Sequence, residues 1–149
     1  MIIEQIHTRF VVFFTAAVVV TGCGGNASLQ LLEQGEQNYK AGTSSNYASH
    51  YEESVYYLKQ AEEAFLDVDP AELTPECRAK RTKLLGLTWF HLGNTSESEM
   101  LYEIANEYYR KAVPLLSESE NLTYLACAYR DIARTMELTG GDRDSVLYY

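Results

Sequence analysis

Apolar residues recur at helical spacing along most of the chain. From Tyr51 to Val68 they fall at steps of three or four, which places one apolar stripe along one side of a helix. Similar spacing predicts helices over residues 29–40, 47–67, 75–93, 97–113 and 121–139. After residue 22, no stretch reads as a strand. The pattern therefore predicts an all-α fold of antiparallel helical hairpins joined by short loops.

Capping residues and breakers set the predicted ends of the first helices. Ser28 is a candidate N-cap for the first helix, and the AGTSSN segment (41–46) is predicted to end it. Thr74 followed by Pro75 predicts another helix start. The threonine hydroxyl would cap this helix, and proline at its first position loses no hydrogen bond.

Similar signals predict the boundaries in the second half of the chain. Gly93 suits the left-handed C-cap that ends a helix. Ser96 and Glu99 have the spacing of a capping box, which predicts that the next helix begins there. Pro114 is expected to kink or end that helix, because proline removes a backbone hydrogen bond.

An apolar run near the amino terminus stands apart from the amphipathic helices. Residues 10–20 read FVVFFTAAVVV, preceded by Arg9 and followed by small residues. From Phe10 to Gly22 a helix would be about 20 Å long, which is too short for a bilayer core of about 30 Å. This order of a charged start, an apolar segment and small residues is typical of a secretory signal peptide.

Residues 20–23 (VTGC) resemble the bacterial lipobox. The resemblance implies that Cys23 receives a diacylglyceryl group, that residues 1–22 are removed and that the new amino terminus is acylated. Three acyl chains would anchor the protein stably, because one chain gives only marginal membrane binding. Gly24 after the cysteine implies the outer membrane of a bacterial cell envelope, with the protein facing the periplasm. An uncleaved anchor, an ordinary signal peptide and a cytosolic protein are the alternatives.

Residues 23–28 would then be a lipidated cysteine and a flexible tether before a helical repeat domain at 29–149. The segment LLGLTWFHLGN (84–94) aligns with DIARTMELTGG (131–141), and the helix after the first segment carries Ala105, Tyr109 and Ala112. This pattern resembles the tetratricopeptide repeat (TPR). The resemblance implies a short α-solenoid of stacked hairpins. A plain antiparallel bundle is the alternative.

In this interpretation, small residues allow the helices to pack closely. Gly86 aligns with Ala133, and both would let the two helices of a hairpin approach closely. The first hairpin fits the repeat more loosely, through Ser54, Leu58 and Ala61.

The net charge and the lack of known catalytic and metal-binding motifs argue against several classes of function. The chain has 21 Asp and Glu against 12 Lys and Arg, for a net charge of −9, which argues against a nucleic-acid partner. No pair of histidines has metal-ligand spacing, and no HExxH, CxxC, phosphate loop or nucleophile elbow occurs. The sequence predicts no enzyme, no catalytic residue, no metal and no cofactor. It leaves the pairing of Cys77 and Cys127 open.

The TPR resemblance implies that the first helix of each hairpin lines a concave groove. In that register the predicted partner-binding residues are Lys80, Lys83, Phe90, His91, Arg130 and Arg134. The four cations would bind an acidic segment or a terminal carboxylate of another protein or peptide by charge-assisted hydrogen bonds. The alternative is that they are solvated side chains paired with local Glu and Asp.

These interpretations combine into a membrane-anchored, non-enzymatic protein-interaction module, a TPR-like adaptor lipoprotein of the periplasm. The alternative is the sensory ectodomain of a longer signalling or regulatory protein. A last hairpin beginning at Asp144 would lack its second helix at Tyr149. We therefore expect the natural protein to continue beyond this residue, because an unpaired terminal repeat exposes an apolar face.

Overall fold

The computed structural model describes residues 27–140, and this part of the chain is all-helical. Its five α-helices are α1 (Ala27–Tyr47), α2 (Tyr51–Asp67), α3 (Pro75–Ser98), α4 (Tyr102–Glu118) and α5 (Leu122–Leu138). A single 3₁₀ turn, Pro70–Glu72, lies between α2 and α3. No strand occurs between residues 27 and 140. The predicted all-α fold is confirmed.

The helices pack mainly against their neighbours in the chain. The most extensive contacts join α1 to α2 and α3 to α4, which form two antiparallel hairpins. Helix α5 packs on α4, whereas α1 and α5 each make smaller contacts with α3. This arrangement is compatible with a short solenoid of helical repeats.

Two glycines bring the helices of the first hairpin together. A Cβ atom on Gly35 would lie 2.5 Å from the ring of Phe65, and one on Gly42 would lie 2.6 Å from Leu58 Cγ. Both distances are too short for a real side chain. Only glycine therefore allows α2 to lie this close to α1.

The second hairpin has glycines at the equivalent positions, 51 residues later in the sequence. A Cβ atom on Gly86 would lie 3.0 Å from Leu115 Cβ, and one on Gly93 would lie 2.5 Å from the ring of Tyr109. The prediction that Gly86 lies at a close helix–helix contact is confirmed. Gly93 lies inside α3, so the prediction that it ends this helix is wrong.

The residues opposite these glycines follow the same spacing. Ser54, Leu58 and Ala61 in α2 are fully buried, as are Ala105, Tyr109 and Ala112 in α4. Corresponding members of the two sets also lie 51 residues apart. The looser match that the sequence gives for the first hairpin therefore describes a real structural equivalence.

In the structure, equivalent positions of α3 and α5 are closer in sequence than the 47 residues that separate Gly86 from Ala133 in the predicted alignment. Thr95 and Thr135 each donate a hydrogen bond to the carbonyl four residues earlier in the same helix. Each also contacts the preceding helix, Thr95 through Ser54 at 3.3 Å and Thr135 through Asn106 at 2.7 Å. Thr95 and Thr135 are therefore equivalent positions, and they lie 40 residues apart. The position of α5 follows from its contacts with α4 and differs from the one that the alignment of Gly86 with Ala133 predicts.

The first helix is longer than predicted. Residues 41–46 remain helical, and within them Gly42 and Ser45 are buried against α2. Thr43 donates its hydroxyl proton to the Tyr39 carbonyl, which keeps this polar residue compatible with the helix. The predicted break is therefore wrong, because burial against a neighbouring helix outweighs the low helix propensity of these residues. Ser28 lies within α1 and not at its cap, and its hydroxyl donates to Glu72 at 2.6 Å.

The third helix is also longer than predicted. Thr74 caps its start as expected, since its hydroxyl accepts a hydrogen bond from the Cys77 amide at 3.3 Å. Ser96 is buried inside α3, so the predicted capping box with Glu99 is wrong. Pro114 lies inside α4, which continues to Glu118.

Three helix ends use the same turn without glycine. Ser49, Met100 and Glu120 have φ values of 61°, 61° and 53°, in the left-handed region. In each case the next amide donates to a carbonyl five residues earlier, which is the long hydrogen bond of a Schellman turn. Sequence reasoning missed these turns because it searched for glycine at this position.

Two apolar clusters form the core. The first lies between α1, α2 and α3 and contains Leu32, Ala61, Phe65, Val68, Leu73 and Leu85. The second lies between α3, α4 and α5 and contains Leu87, Phe90, Ala105, Tyr109, Ala112, Leu116, Ala128 and Ile132. Tyr39 and Trp89 pack against both clusters, so the core is continuous across α3.

Several predictions concern residues outside the described range. The signal peptide (1–22), the lipidation of Cys23 and the hairpin beginning at Asp144 all fall there, as does most of the tether. Between residues 27 and 140, no helix has the length and apolar character needed to cross a bilayer.

Candidate functional site

Helices α1, α3 and α5 bring four aromatic side chains together. We call Tyr39, Phe90, His91 and Tyr124 the aromatic cluster. The ring centroids of Tyr39 and His91 are 5.8 Å apart, and those of His91 and Tyr124 are 5.9 Å apart. Phe90 lies 5.1 Å from Tyr124 in an edge-to-face arrangement. These separations are typical of favourable aromatic contacts.

The aromatic cluster has a buried floor and a more accessible rim. Phe90 and His91 are each 5% exposed, whereas Tyr39 and Tyr124 are half-buried. Tyr47, at the end of α1, is 80% exposed and lies close enough to interact electrostatically with both rim tyrosines. Two of the predicted partner-binding residues, Phe90 and His91, are thus buried and offer little of their own surface.

The buried histidine of the cluster is neutral and has no hydrogen-bond partner among the described residues. Burial lowers the pKa of His91 from 6.5 to about 4. The imidazole makes no hydrogen bond to another residue between 27 and 140. A neutral imidazole can donate one hydrogen bond and accept another.

The rim tyrosines are also available as hydrogen-bond donors. Burial raises the pKa of Tyr39 to about 12 and also raises the pKa of Tyr124, so both phenols stay protonated at neutral pH. Neither hydroxyl bonds to another residue between 27 and 140. Sequence reasoning missed Tyr39, Tyr47 and Tyr124 because nothing local marks them among the 12 tyrosines.

The predicted basic residues lie on both sides of the aromatic cluster and not in one patch. Lys80 forms an ion pair with Glu36 on α1, and Lys40 binds the same carboxylate at 2.7 Å. Hydrogen bonds from Lys40 and Lys80 lower the pKa of Glu36. Lys83 is exposed and makes no ion pair within residues 27–140. It lines a cavity of about 370 Å³ with Lys80, Glu118 and Ser119.

The two predicted arginines on α5 are neutralised by carboxylates. Arg130 Nε lies 2.8 Å from Asp131 Oδ1. Arg134 Nη2 lies 2.7 Å from Glu97 Oε2 and 3.2 Å from Asp131 Oδ1. Asp131 is only 1% exposed, so this carboxylate depends on the two guanidinium groups for charge compensation. Three of the four predicted cations are therefore paired with acidic residues of the same chain.

The same carboxylate of Glu97 connects α5 to the second hairpin. The Tyr109 hydroxyl lies 2.8 Å from Asn94 Oδ1 and 2.9 Å from Glu97 Oε2, and it donates its single proton to one of them at a time. Burial and the Glu97 carboxylate raise the pKa of Tyr109, so the phenol stays protonated. The polar network thus runs from α4 through α3 to Arg134 on α5.

The cysteines and the possible metal ligands are the remaining candidates for chemistry among the described residues. Cys77 and Cys127 are free thiols that pack against different core clusters. No group of three His, Cys, Asp or Glu side chains between residues 27 and 140 is placed to hold a metal ion.

Comparison with known proteins identifies no relative of this chain. No family model matches it, and no curated protein or solved structure is significantly similar to it. The TPR and lipobox resemblances therefore stay predictions from the sequence.

Proposed function

We propose that this protein is a non-enzymatic module that binds a segment of another protein at the surface where α1, α3 and α5 bring the aromatic cluster together. The observation that carries the proposal is the aromatic cluster. Three helices contribute rings to it, and its polar atoms on Tyr39, His91 and Tyr124 have no partner among the described residues. Accessible tyrosines are typical of protein-binding surfaces, because they combine apolar area with a hydrogen-bonding group.

The arrangement of charges supports the aromatic cluster as the binding site. An acidic partner would compete with Glu36 for Lys80, and with Glu97 and Asp131 for the two arginines. Lys83 is the predicted cation that remains available for an acidic residue of the partner. The basic residues would thus adjust the specificity of binding, and the aromatic cluster would supply most of its strength.

A matched pair of tyrosine variants tests this proposal. The full chain is immobilised and challenged with a displayed library of random 12-residue peptides, and selected peptides are tested against Tyr47→Ala and Tyr56→Ala. Tyr47 is 80% exposed and interacts electrostatically with Tyr39 and Tyr124, whereas Tyr56 is 61% exposed on α2, which contributes no ring to the aromatic cluster. We expect only Tyr47→Ala to weaken binding. Equal binding to both variants, or no selected peptide, would contradict the proposal.

We also propose that the module is attached to a bacterial envelope membrane through a lipid on Cys23, as an outer-membrane lipoprotein facing the periplasm. Support comes from the apolar run at 10–20 and the lipobox-like residues 20–23. The Cys23→Ser variant should remain as an unprocessed precursor and incorporate no labelled palmitate. Unchanged labelling would exclude this attachment site.

A further inference from the structure

The turn between α3 and α4 exposes apolar side chains beside the end of α5. Half of the eight large apolar side chains that are exposed among the described residues lie here, and we call them the apolar edge: Met100, Leu101, Ile104 and Leu138. Two contacts show that these residues are neighbours. Arg134 binds Glu97 of α3 at 2.7 Å, and Thr135 accepts a hydrogen bond from Asn106 of α4 at 2.7 Å. The next turn of α5, which carries Leu138, therefore lies beside the α3–α4 turn.

The turn at Met100 does not need apolar side chains to form. The turns at Ser49 and Glu120 have the same left-handed backbone, and a polar residue follows each of them. In the first hairpin, polar residues occupy all three positions that lie 51 residues before Met100, Leu101 and Ile104, namely Ser49, His50 and Glu53. The fold therefore explains where the side chains of the apolar edge lie, but it does not explain why they are apolar.

The apolar edge is surrounded by negative charge. Three exposed carboxylates beside it make no ion pair within residues 27–140, those of Glu99, Glu103 and Glu137. No Lys or Arg occurs in residues 97–104 or 137–140. Glu99 and Glu137 also lie at the C-terminal ends of α3 and α5, where the partial negative charge of the helix makes a carboxylate unfavourable. Helix stability therefore does not account for these two carboxylates, and a cation placed here would be strongly attracted.

We propose that the apolar edge binds a basic amphipathic segment of another protein, with apolar residues that cover Met100 and Ile104 and with Lys or Arg that pair with the surrounding carboxylates. An apolar centre with a charged rim is typical of protein interfaces, and methionine adapts to different partner shapes. The carboxylates repel an acidic segment and the anionic surface of a bilayer. No residue of the apolar edge belongs to the aromatic cluster, so this inference does not depend on the function proposed for that cluster.

Fluorescent peptides test the inference with the full chain. The probes are an amphipathic helical peptide of Leu and Lys, its counterpart with Glu for every Lys and its counterpart with Ser for every Leu, each titrated by fluorescence anisotropy. We expect only the Leu–Lys peptide to bind tightly, because it alone offers both apolar side chains and cations. Its affinity should fall at high salt, since salt screens the attraction to the carboxylates.

Paired variants then locate the binding site. Met100→Ser with Ile104→Ser should weaken binding of the Leu–Lys peptide roughly ten-fold, because the apolar contact is lost. The matched control is Leu66→Ser with Leu122→Ser, two exposed leucines at the opposite helix ends.

A second pair of variants tests the carboxylates. Glu99→Gln with Glu103→Gln should weaken binding about three-fold and reduce its salt dependence. Glu63→Gln with Glu118→Gln removes two exposed carboxylates elsewhere and should have no effect.

Three results would overturn the inference. The first is no binding of the Leu–Lys peptide, and the second is equal weakening by the edge variants and their controls. The third is binding of the Leu–Glu peptide as tight as that of the Leu–Lys peptide. Phosphatidylglycerol vesicles are a further probe, and binding of these vesicles in place of the peptide would show that the edge faces a lipid surface.

Discussion

The first hairpin (α1 and α2) and the second (α3 and α4) place glycines at equivalent positions but seat different side chains on them. Gly42 lies under Leu58, and Gly93 lies under Tyr109, 51 residues later in each case. Leu58 ends in methyl groups inside an apolar contact. The Tyr109 ring fills the same place, and its hydroxyl continues to Glu97, which binds Arg134 on α5.

This difference shows that the contact between a glycine and a buried side chain has a different role in each hairpin. In the first hairpin, Gly42 and Leu58 form an apolar contact between two helices. In the second, the additional hydroxyl links the hairpin to the next helix through a charged network. A tyrosine in place of leucine thus adds a polar connection from this contact to α5.

The largest effect should come from removing these two side chains. Leu58→Ala should cost about 2–5 kcal/mol of unfolding free energy, and Tyr109→Ala about 3–5 kcal/mol, because both leave buried cavities. Denaturant unfolding measures both values. Hydrogen exchange should accelerate in α5 for Tyr109→Ala and stay nearly native there for Leu58→Ala. Similar exchange of α5 in both variants would contradict the comparison.

Alanine at the glycines should show that the close contact is equally tight in the two hairpins. Gly42→Ala and Gly93→Ala place a methyl group 2.6 and 2.5 Å from the opposing side chain. Each should destabilise by about 1–3 kcal/mol, although alanine favours helix by about 1 kcal/mol. Gly86→Ala, where the closest approach is 3.0 Å, should cost less. A rise in melting temperature for Gly93→Ala would exclude the tight contact.

Acid should destabilise the second hairpin through His91. The pKa of this residue is about 4 in the folded protein because of burial, against an ordinary value of 6.5, so the unfolded chain binds the proton more strongly. This contribution is complete above pH 6.5 and falls as the pH drops towards 4, with a loss of about 2 kcal/mol by pH 5.

The first hairpin offers no counterpart, since the position equivalent to His91 is the exposed Lys40. His91→Phe keeps an aromatic ring and removes the titrating group. The variant should therefore lose less stability than the parent chain between pH 7 and pH 5, as measured by urea unfolding. An identical pH dependence of the two proteins would show that His91 does not carry the effect.

The smallest effect should come from removing the Tyr109 hydroxyl alone. Tyr109→Phe keeps the ring over Gly93 and should cost about 1–2 kcal/mol, because a hydrogen bond to a charged group is lost. In a double-mutant cycle with Arg134→Gln, the two losses should not add, since both act on Glu97. Strict additivity would mean that the hydroxyl and the guanidinium act independently.

The sequence by itself determined the features that depend on local chemistry. Amphipathic spacing predicted the helices, Thr74 and Pro75 predicted the start of α3, and Gly86 predicted a close helix contact. The helix signals need only neighbouring residues, whereas the role of Gly86 came from the alignment of residues 84–94 with 131–141. The buried positions 58 and 61 also follow from helical spacing alone, whereas Ser54 was predicted through the TPR resemblance.

Only the tertiary structure decided where two helices end and which charges remain free. Gly42 and Gly93 stay helical because each lies under a buried side chain from the partner helix, and this contact outweighs their low propensity. Lys80 and Arg134 are paired with Glu36 and Glu97, which lie 44 and 37 residues away in the chain. The aromatic cluster likewise forms from three separate helices. Such contacts depend on how the helices cross, and no spacing within one helix encodes that geometry.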